Sequence, residues 1–379
     1  MGDLQTWETA GRVAVFVAGV AVTLATLGSA VRTVVLPRGV QAKLATAVFL
    51  TTRVLFRVRV GRAPTFERRD HVMAGYGPVS LLTLALVWQV AVALSYTGMF
   101  WALGARPLQS AFTLSGSSLF TLGFQHPDGL AMTVLSFSEA ALGLGLLALI
   151  ITYLPSLYTA FSRREVFVAQ LEVRAGSPPS GAEMIERFHN IGWLDDGLRG
   201  LWDRWEGWFL ELQETHTSFP ALVFFRSPQP EHSWITAAGA VLDGAALASS
   251  TLQEHDADAE IMLRAGYLSL RRIADYFAIP YDPEPSPTGP ISVSRDEYDA
   301  IYDRLAAAGV ALKPDRDQAW RDFAGWRVNY DTVLITLAAL VVAPTAPWSS
   351  DRSVTRFRPT VLGRRKPSNR APKTLPPAR

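Results

Sequence analysis

Three long apolar runs constrain what this chain can fold into. They cover Val13–Val31, Val79–Leu103 and Gly129–Phe161. A helix rises about 1.5 Å per residue, so about 20 apolar residues cross the hydrocarbon core of a bilayer. Each run is therefore predicted to be a transmembrane helix. The third run is longer than one bilayer requires, and we expect it to tilt or to continue as a helix beyond the membrane.

The composition predicts a membrane part followed by a soluble part. Only 18% of the 379 residues are charged, whereas about a quarter are charged in an average soluble chain. The apolar excess lies before residue 163. The chain has no cysteine, which excludes a disulfide or a thiol nucleophile. No nucleophile–base pair or metal-ligand cluster is recognisable, so we expect neither an enzyme nor a bound metal or cofactor.

The basic residues predict how the chain is oriented. The link between the second and third runs carries only Arg106, and Arg163 and Arg164 follow the third run. The link between the first two runs carries Arg32, Arg38, Lys43, Arg53, Arg57, Arg59, Arg62, Arg68 and Arg69. By the positive-inside rule this first link is cytoplasmic. We therefore expect a multi-pass protein of the cell (inner) membrane, with its N-terminus outside and the residues after about 163 in the cytoplasm.

One apolar segment, Ala42–Phe56, has two interpretations. It is interrupted by Lys43 and Arg53, and Arg57 and Arg59 follow it. This pattern favours a helix that lies in the inner interface with its arginines toward the phosphates of anionic lipids. The alternative is a fourth span, which would reverse the orientation derived from the charges.

A short uncharged stretch separates the second and third runs. Pro107 can occupy the first turn of a helix, and Leu108–Leu119 has the length of about three turns. We predict that this helix enters the membrane with its negative dipole end toward the bilayer centre, where it favours a cation. Thr121–Gln125 would then return outward as extended backbone, which is tolerated at membrane depth only where it lines water or is covered by protein.

This stretch resembles the pore module of the two-transmembrane potassium channel superfamily. The signature of that family, Thr-x-x-Thr-x-Gly-Tyr/Phe-Gly-Asp, aligns with Ser118–His126, which reads Ser-Leu-Phe-Thr-Leu-Gly-Phe-Gln-His. The resemblance covers about residues 79–175, and Ser118 keeps a hydroxyl where threonine is usual. It implies a homotetramer that conducts K⁺ or Na⁺ through backbone carbonyls. The implied filter residues are Thr121, Leu122, Gly123, Phe124 and Gln125.

The chain departs from the family signature at two positions of the filter. Gln125 stands in place of the second filter glycine, and His126 in place of the aspartate. The glycine is wanted because the filter backbone visits positive φ, which costs a residue with a β-carbon about 1 kcal/mol or more. We expect Gln125 to distort or widen the outermost ion site, or to need a compensating hydrogen bond. The alternatives to a selective potassium pore are therefore a less selective cation pore and a poorly conducting one.

The third run contains the residues predicted to support and to gate the filter. Glu139 is costly within a span unless it is paired or faces water. We predict that it lies behind the filter and bonds a hydroxyl such as Ser115 or Ser117; the alternative is a glutamate at headgroup level. Glycine and proline can bend a helix, although glycine is also common where membrane helices pack closely. The predicted gate and hinge residues are Gly143, Gly145 and Pro155.

The C-terminal half is predicted to be a helical domain. Gly176–Gly181 is a linker by composition. The aromatic stripe Trp193–Phe209 has the spacing of a helix core or a subunit contact. No nucleotide-binding or calcium-binding motif is present, and His216 and His232 lack the spacing of metal ligands. The predicted helices are Ala182–Leu212, Ala237–Leu252, Ala259–Phe277, Ser294–Ala308 and Val333–Ala343.

Together these patterns predict an all-α membrane protein with three transmembrane helices, a re-entrant pore helix and filter, and a helical cytoplasmic domain. The expected domains are residues 1–77 (first span and basic segment), 78–175 (pore), 176–350 (cytoplasmic domain) and 351–379 (basic tail). The tail should be disordered.

The expected function is a potassium or monovalent cation channel in a bacterial inner membrane. We expect its partners to be the lipid bilayer, with anionic lipids at the basic segments. We expect no nucleic-acid partner. The alternative is a non-conducting membrane sensor or scaffold. In that case Phe120 and Gln125 have closed the filter, and the helical domain is the working part.

Overall fold

The computed structural model describes residues 2–36, 43–60 and 66–352, and these residues form α-helices without any strand. The basic tail, predicted to be disordered, lies from residue 353 onward outside the described residues. The helices are α1 (Gly2–Val34), α2 (Lys43–Val60), α3 (Phe66–Ala74), α4 (Tyr76–Leu103), α5 (Leu108–Leu119), α6 (Gly129–Ala175), α7 (Gly181–Asn190), α8 (Leu194–Ser218), α9 (Trp234–Thr251), α10 (Ala257–Tyr276), α11 (Arg295–Ala307), α12 (Arg316–Arg327) and α13 (Asp331–Val341), with a 3₁₀ helix at Pro220–Phe224.

Three segments of the described chain are long and apolar enough to cross a membrane. They are Trp7–Val34, Arg68–Leu103 and Gly129–Ala175. The three predicted apolar runs fall within them, so an all-α protein with three helices of membrane-spanning length is confirmed. The third helix has 47 residues and continues past the predicted run to Ala175. Of the apolar segment Ala42–Phe56, residues 43–56 lie in α2, and Ala42 is outside the described residues.

The first two membrane-length helices, α1 and α4, pack closely through small and polar residues. A β-carbon at Gly19 would lie only 2.8 Å from the carbonyl oxygen of Ser95. The hydroxyls of Thr23 and Ser95 are 2.9 Å apart, and Arg12 Nε donates to Ala102 O at 2.7 Å. Small residues allow membrane helices to approach at the backbone, and interhelical hydrogen bonds then hold them together.

The C-terminal helices share one core with α9 at its centre. All residues of α9 are buried. A β-carbon at Gly181 would lie 2.8 Å from Ala240 O, so α7 and α9 touch at the backbone. The buried part of the aromatic stripe is core, as predicted: Trp202, Trp205, Trp208 and Phe209. The core also takes in Leu171 and Ala175 at the end of α6, ahead of the boundary expected at residue 176.

Two helices of this core differ from the prediction. The single helix predicted over Ala182–Leu212 is divided into α7 and α8, because Gly192 turns the chain with φ +68°. The helix α12 was not predicted at all. Ser294 and Glu297 form the predicted capping box of α11, and α13 is the predicted short buried helix.

A buried ion network joins α12 and α13 to α9. Arg327 is fully buried, donates to Asp331 Oδ1 at 2.7 Å and pairs with Asp243. Tyr330 OH donates to Asp243 Oδ1 at 2.8 Å. Burial raises the pKa of Asp243, and the neighbouring Arg327 opposes that rise. Such a network is costly to break at one member, because an uncompensated buried charge remains.

The C-terminal helices contact the membrane-length helices α4 and α6 through Phe219–Phe225, which we call the aromatic strap. Arg164 of α6 donates to the carbonyl oxygens of Leu222 at 2.9 Å and Phe225 at 2.7 Å. The Phe224 ring packs 5.2 Å from the ring of Tyr76 at the start of α4. The strap therefore touches both the second and the third membrane-length helix.

Candidate site at the loop after α5

The short helix α5 has the predicted bounds and lies between α4 and α6. It has no charged residue, and Ala111, Leu114 and Leu119 on its inner side are buried. Ser118 Oγ lies 3.0 Å from Ser136 Oγ of α6. The predicted support residue Ser118 thus contacts the third apolar helix.

The helix α5 ends in a Schellman cap. Thr121 N donates to Ser118 O at 3.1 Å, and Leu122 N donates to Ser117 O at 2.9 Å. This pattern requires a left-handed residue after the helix, and Thr121 supplies it with φ +52°. The expectation of extended backbone from Thr121 onward is therefore wrong at Thr121, and also at Gly123 with φ +73°. A β-branched residue at positive φ is strained by about 1–2 kcal/mol.

Gln125 is tied back to α5. Its Nε2 donates to Ser110 Oγ at 2.9 Å, its backbone N–H points to Ser117 Oγ at 3.3 Å, and its Oε1 accepts a hydrogen bond from Thr113. Hydrogen bonds at Gln125, one of the alternatives expected from the sequence, are thus present. Gln125 is not among the residues with positive φ, so the strain expected there is carried by Thr121 instead.

The side chains of the loop are uncovered in a single chain. Phe120, Leu122 and Phe124 are each exposed by 58–63%. Where such exposed apolar side chains form a contiguous patch, they mark a site of contact with lipid or with another protein.

Glu139 lies behind α5. It is fully buried, and Ser115 Oγ lies 2.6 Å from its Oε1. The predicted hydrogen bond to a hydroxyl of the short helix is therefore confirmed. The second carboxyl oxygen, Oε2, has no hydrogen-bond partner among the described residues.

The three predicted hinge residues have different surroundings. A β-carbon at Gly143 would lie 2.8 Å from Leu119 Cδ1 and closer still to Leu119 O, whereas nothing lies within 4 Å of one at Gly145. At Gly143, α6 thus comes into direct contact with the last residue of α5. Pro155 lies inside α6, which runs through it without a break.

The junction at Arg164 was not predicted from the sequence. Its guanidinium holds the aromatic strap and lies 3.2 Å from Nε2 of the fully buried His216. Burial lowers the pKa of His216 well below its usual range, and the neighbouring Arg164 adds to this effect. The sequence signal was present in the apolar run Phe219–Phe225, but its partner lies far away along the chain.

Two further findings bear on function. In the part of the chain that the structure describes, no group of three or more His, Asp or Glu side chains is placed to hold a metal ion. Comparisons with protein-family models, with curated proteins and with solved structures found no match.

Proposed function

We propose that copies of this chain assemble around one axis into a channel for K⁺ or another monovalent cation. The observation that carries this proposal is the position of α5. This uncharged helix lies between two membrane-length helices and ends in the loop Thr121–Gln125. A helix C-terminus carries a partial negative charge, and loop carbonyls can replace the hydration shell of a cation. One chain supplies one loop, so a closed ring needs about four copies.

Two features of the loop support this assignment. Thr121 holds a strained left-handed conformation, and strain of this kind gathers at functional sites. The exposed Leu122 and Phe124 suit a surface that further copies cover. By the positive-inside rule the loop faces outward, and the C-terminal helical domain lies in the cytoplasm.

The test is a flux measurement in liposomes that contain the purified protein, under opposing K⁺ and Na⁺ gradients. A reversal potential near the K⁺ equilibrium value supports a potassium channel, and a value near zero with robust current supports a non-selective cation pore. Liposomes without protein are the control. If neither the wild type nor Gln125→Gly carries current, the proposal is contradicted.

A non-conducting membrane sensor is the second candidate, because Gln125 is anchored to α5 by hydrogen bonds to Ser110, Thr113 and Ser117. Such anchoring suits a loop that stays closed. Absence of current in the wild type, together with current in Gln125→Gly, favours the sensor.

A further inference from the structure

The junction of α4, α5 and α6 behind the loop has more hydrogen-bond acceptors than donors. Ser115 Oγ lies 2.6 Å from Glu139 Oε1. One helical turn further along α6, Gln89 Nε2 of α4 points to Gly143 O at 3.4 Å. Two buried acceptors are left over: Glu139 Oε2 and Gln89 Oε1 have no partner among the described residues.

The neighbouring groups do not supply the missing donor. Ser115 Oγ also lies 2.9 Å from Ala93 O, but that carbonyl already accepts from Thr97 Oγ1 at 2.7 Å. The Ser115 hydroxyl has one proton, and the shorter contact is the one to Glu139. Tyr96 OH, the nearest titratable group on α4, is engaged with Ser138 Oγ at 2.9 Å.

Within the described helices α4 and α5 and the apolar part of α6, no positive charge is available to balance a carboxylate at this place. Neither α4 nor α5 contains a charged residue, and Glu139 is the one charged residue between Gly129 and Phe161 of α6. On α1, Arg12 donates to Ala102 near the far end of α4. A buried, unpaired charge in a span is strongly unfavourable, and such a group neutralises instead.

We propose that Glu139 is a neutral carboxylic acid that carries its proton on Oε2 and donates it to Gln89 Oε1. A single proton then satisfies both unpartnered oxygens, while Oε1 accepts from Ser115. The acid becomes a link between α4 and α5, and Glu139 and Gln89 are positioning residues that hold α5 against the spans. The consequence for conduction rests on the proposed function; the protonation state does not.

The first test is infrared spectroscopy of the purified full-length protein in liposomes at neutral pH. The C=O band of a protonated carboxylic acid should be present in the wild type and lost in Glu139→Gln. It should persist in Glu172→Gln, the matched control, because Glu172 is exposed. In Gln89→Leu the band should move to higher frequency, because the acid proton loses its acceptor. Thr83→Val is the control on α4, since the half-buried Thr83 donates to Val79 O of its own helix.

The second test is thermal unfolding and ion flux of two Glu139 variants. Glu139→Gln should unfold at the wild-type temperature, because its amide can donate to Gln89 and accept from Ser115. Glu139→Leu should unfold at a lower temperature, because it can do neither. If the wild type conducts, Glu139→Gln should keep its reversal potential.

Three results would overturn the inference: no acid band that depends on Glu139, no shift of that band in Gln89→Leu, or unfolding of Glu139→Gln at as low a temperature as Glu139→Leu. The first would mean that Glu139 is ionised and that Gln89 presents its amide N–H₂ to it instead. Absence of flux together with the acid band would contradict the proposed channel and leave this inference standing.

Discussion

Two glycines on α6, Gly143 and Gly145, allow two roles of glycine to be distinguished: close packing against α5 and bending of the helix. If both act as hinges, alanine at either should stiffen α6 and change conduction in the same way. The surroundings predict otherwise, because only Gly143 faces a neighbour. A β-carbon there would lie 2.8 Å from Leu119 Cδ1, well inside ordinary van der Waals contact.

The magnitude follows from that overlap. Extra carbon in a packed site costs about 1–3 kcal/mol, because neighbours must move. For a folded unit of 150–250 residues, each kcal/mol lowers the melting temperature by about 2–4 °C. Gly143→Ala should therefore melt several degrees lower than the wild type. Gly145→Ala has open space and loses a flexible residue, so it should be neutral or stabilised by up to about 1 kcal/mol.

The assay is thermal unfolding of both variants in the same detergent, followed by flux in liposomes. We expect Gly143→Ala to shift the reversal potential or to lose current, because Leu119 O precedes the loop directly. Gly145→Ala should conduct like the wild type. Equal effects of the two substitutions on both stability and flux would refute the packing argument and favour a hinge.

Three other outcomes are expected. Arg327→Met should destabilise the C-terminal core by about 3–5 kcal/mol in chemical unfolding, since it leaves Asp243 buried without its partner. His216 stays neutral in the folded protein while its unfolded form takes up a proton below about pH 6.5. Stability should therefore fall as the pH drops from 7.5 to 5.5, with a contribution from this group of up to about 1.4 kcal/mol per pH unit, and His216→Gln should melt with a shallower pH dependence. Gln125→Gly should lower the melting temperature, because the side-chain bonds to Ser110 and Thr113, each worth about 1 kcal/mol, are lost.

Local features of the sequence predicted the elements near the site well. The apolar runs, the bounds of α5 and the hydrogen bond between Ser115 and Glu139 follow from length, charge and the cost of burying a carboxylate. The capping box at Ser294 was also visible, because its two partners are three residues apart. Signals of this kind need no knowledge of the distant chain.

Features that depend on contacts between distant segments were not predictable in the same way. Arg164 follows an apolar run, so it served only as an orientation signal, yet it is 3% exposed and holds the aromatic strap. The strap and His216, which it also contacts, lie more than fifty residues further along the chain. The helix α12 carries many charges and has few apolar positions at helical spacing, so no sequence pattern predicted it.

In the loop after α5, the family signature predicted backbone strain at the wrong residue. The glycine missing at position 125 suggested that Gln125 is forced into an unfavourable backbone conformation. The cap of α5 instead places Thr121 at positive φ and leaves Gln125 outside that region. Gln125 then acts through its side chain, which bonds to Ser110 and Thr113 of α5. Glycine at this position would therefore release an anchor rather than relieve strain, and so a current gained in Gln125→Gly would show that the anchored loop is what blocks the pore.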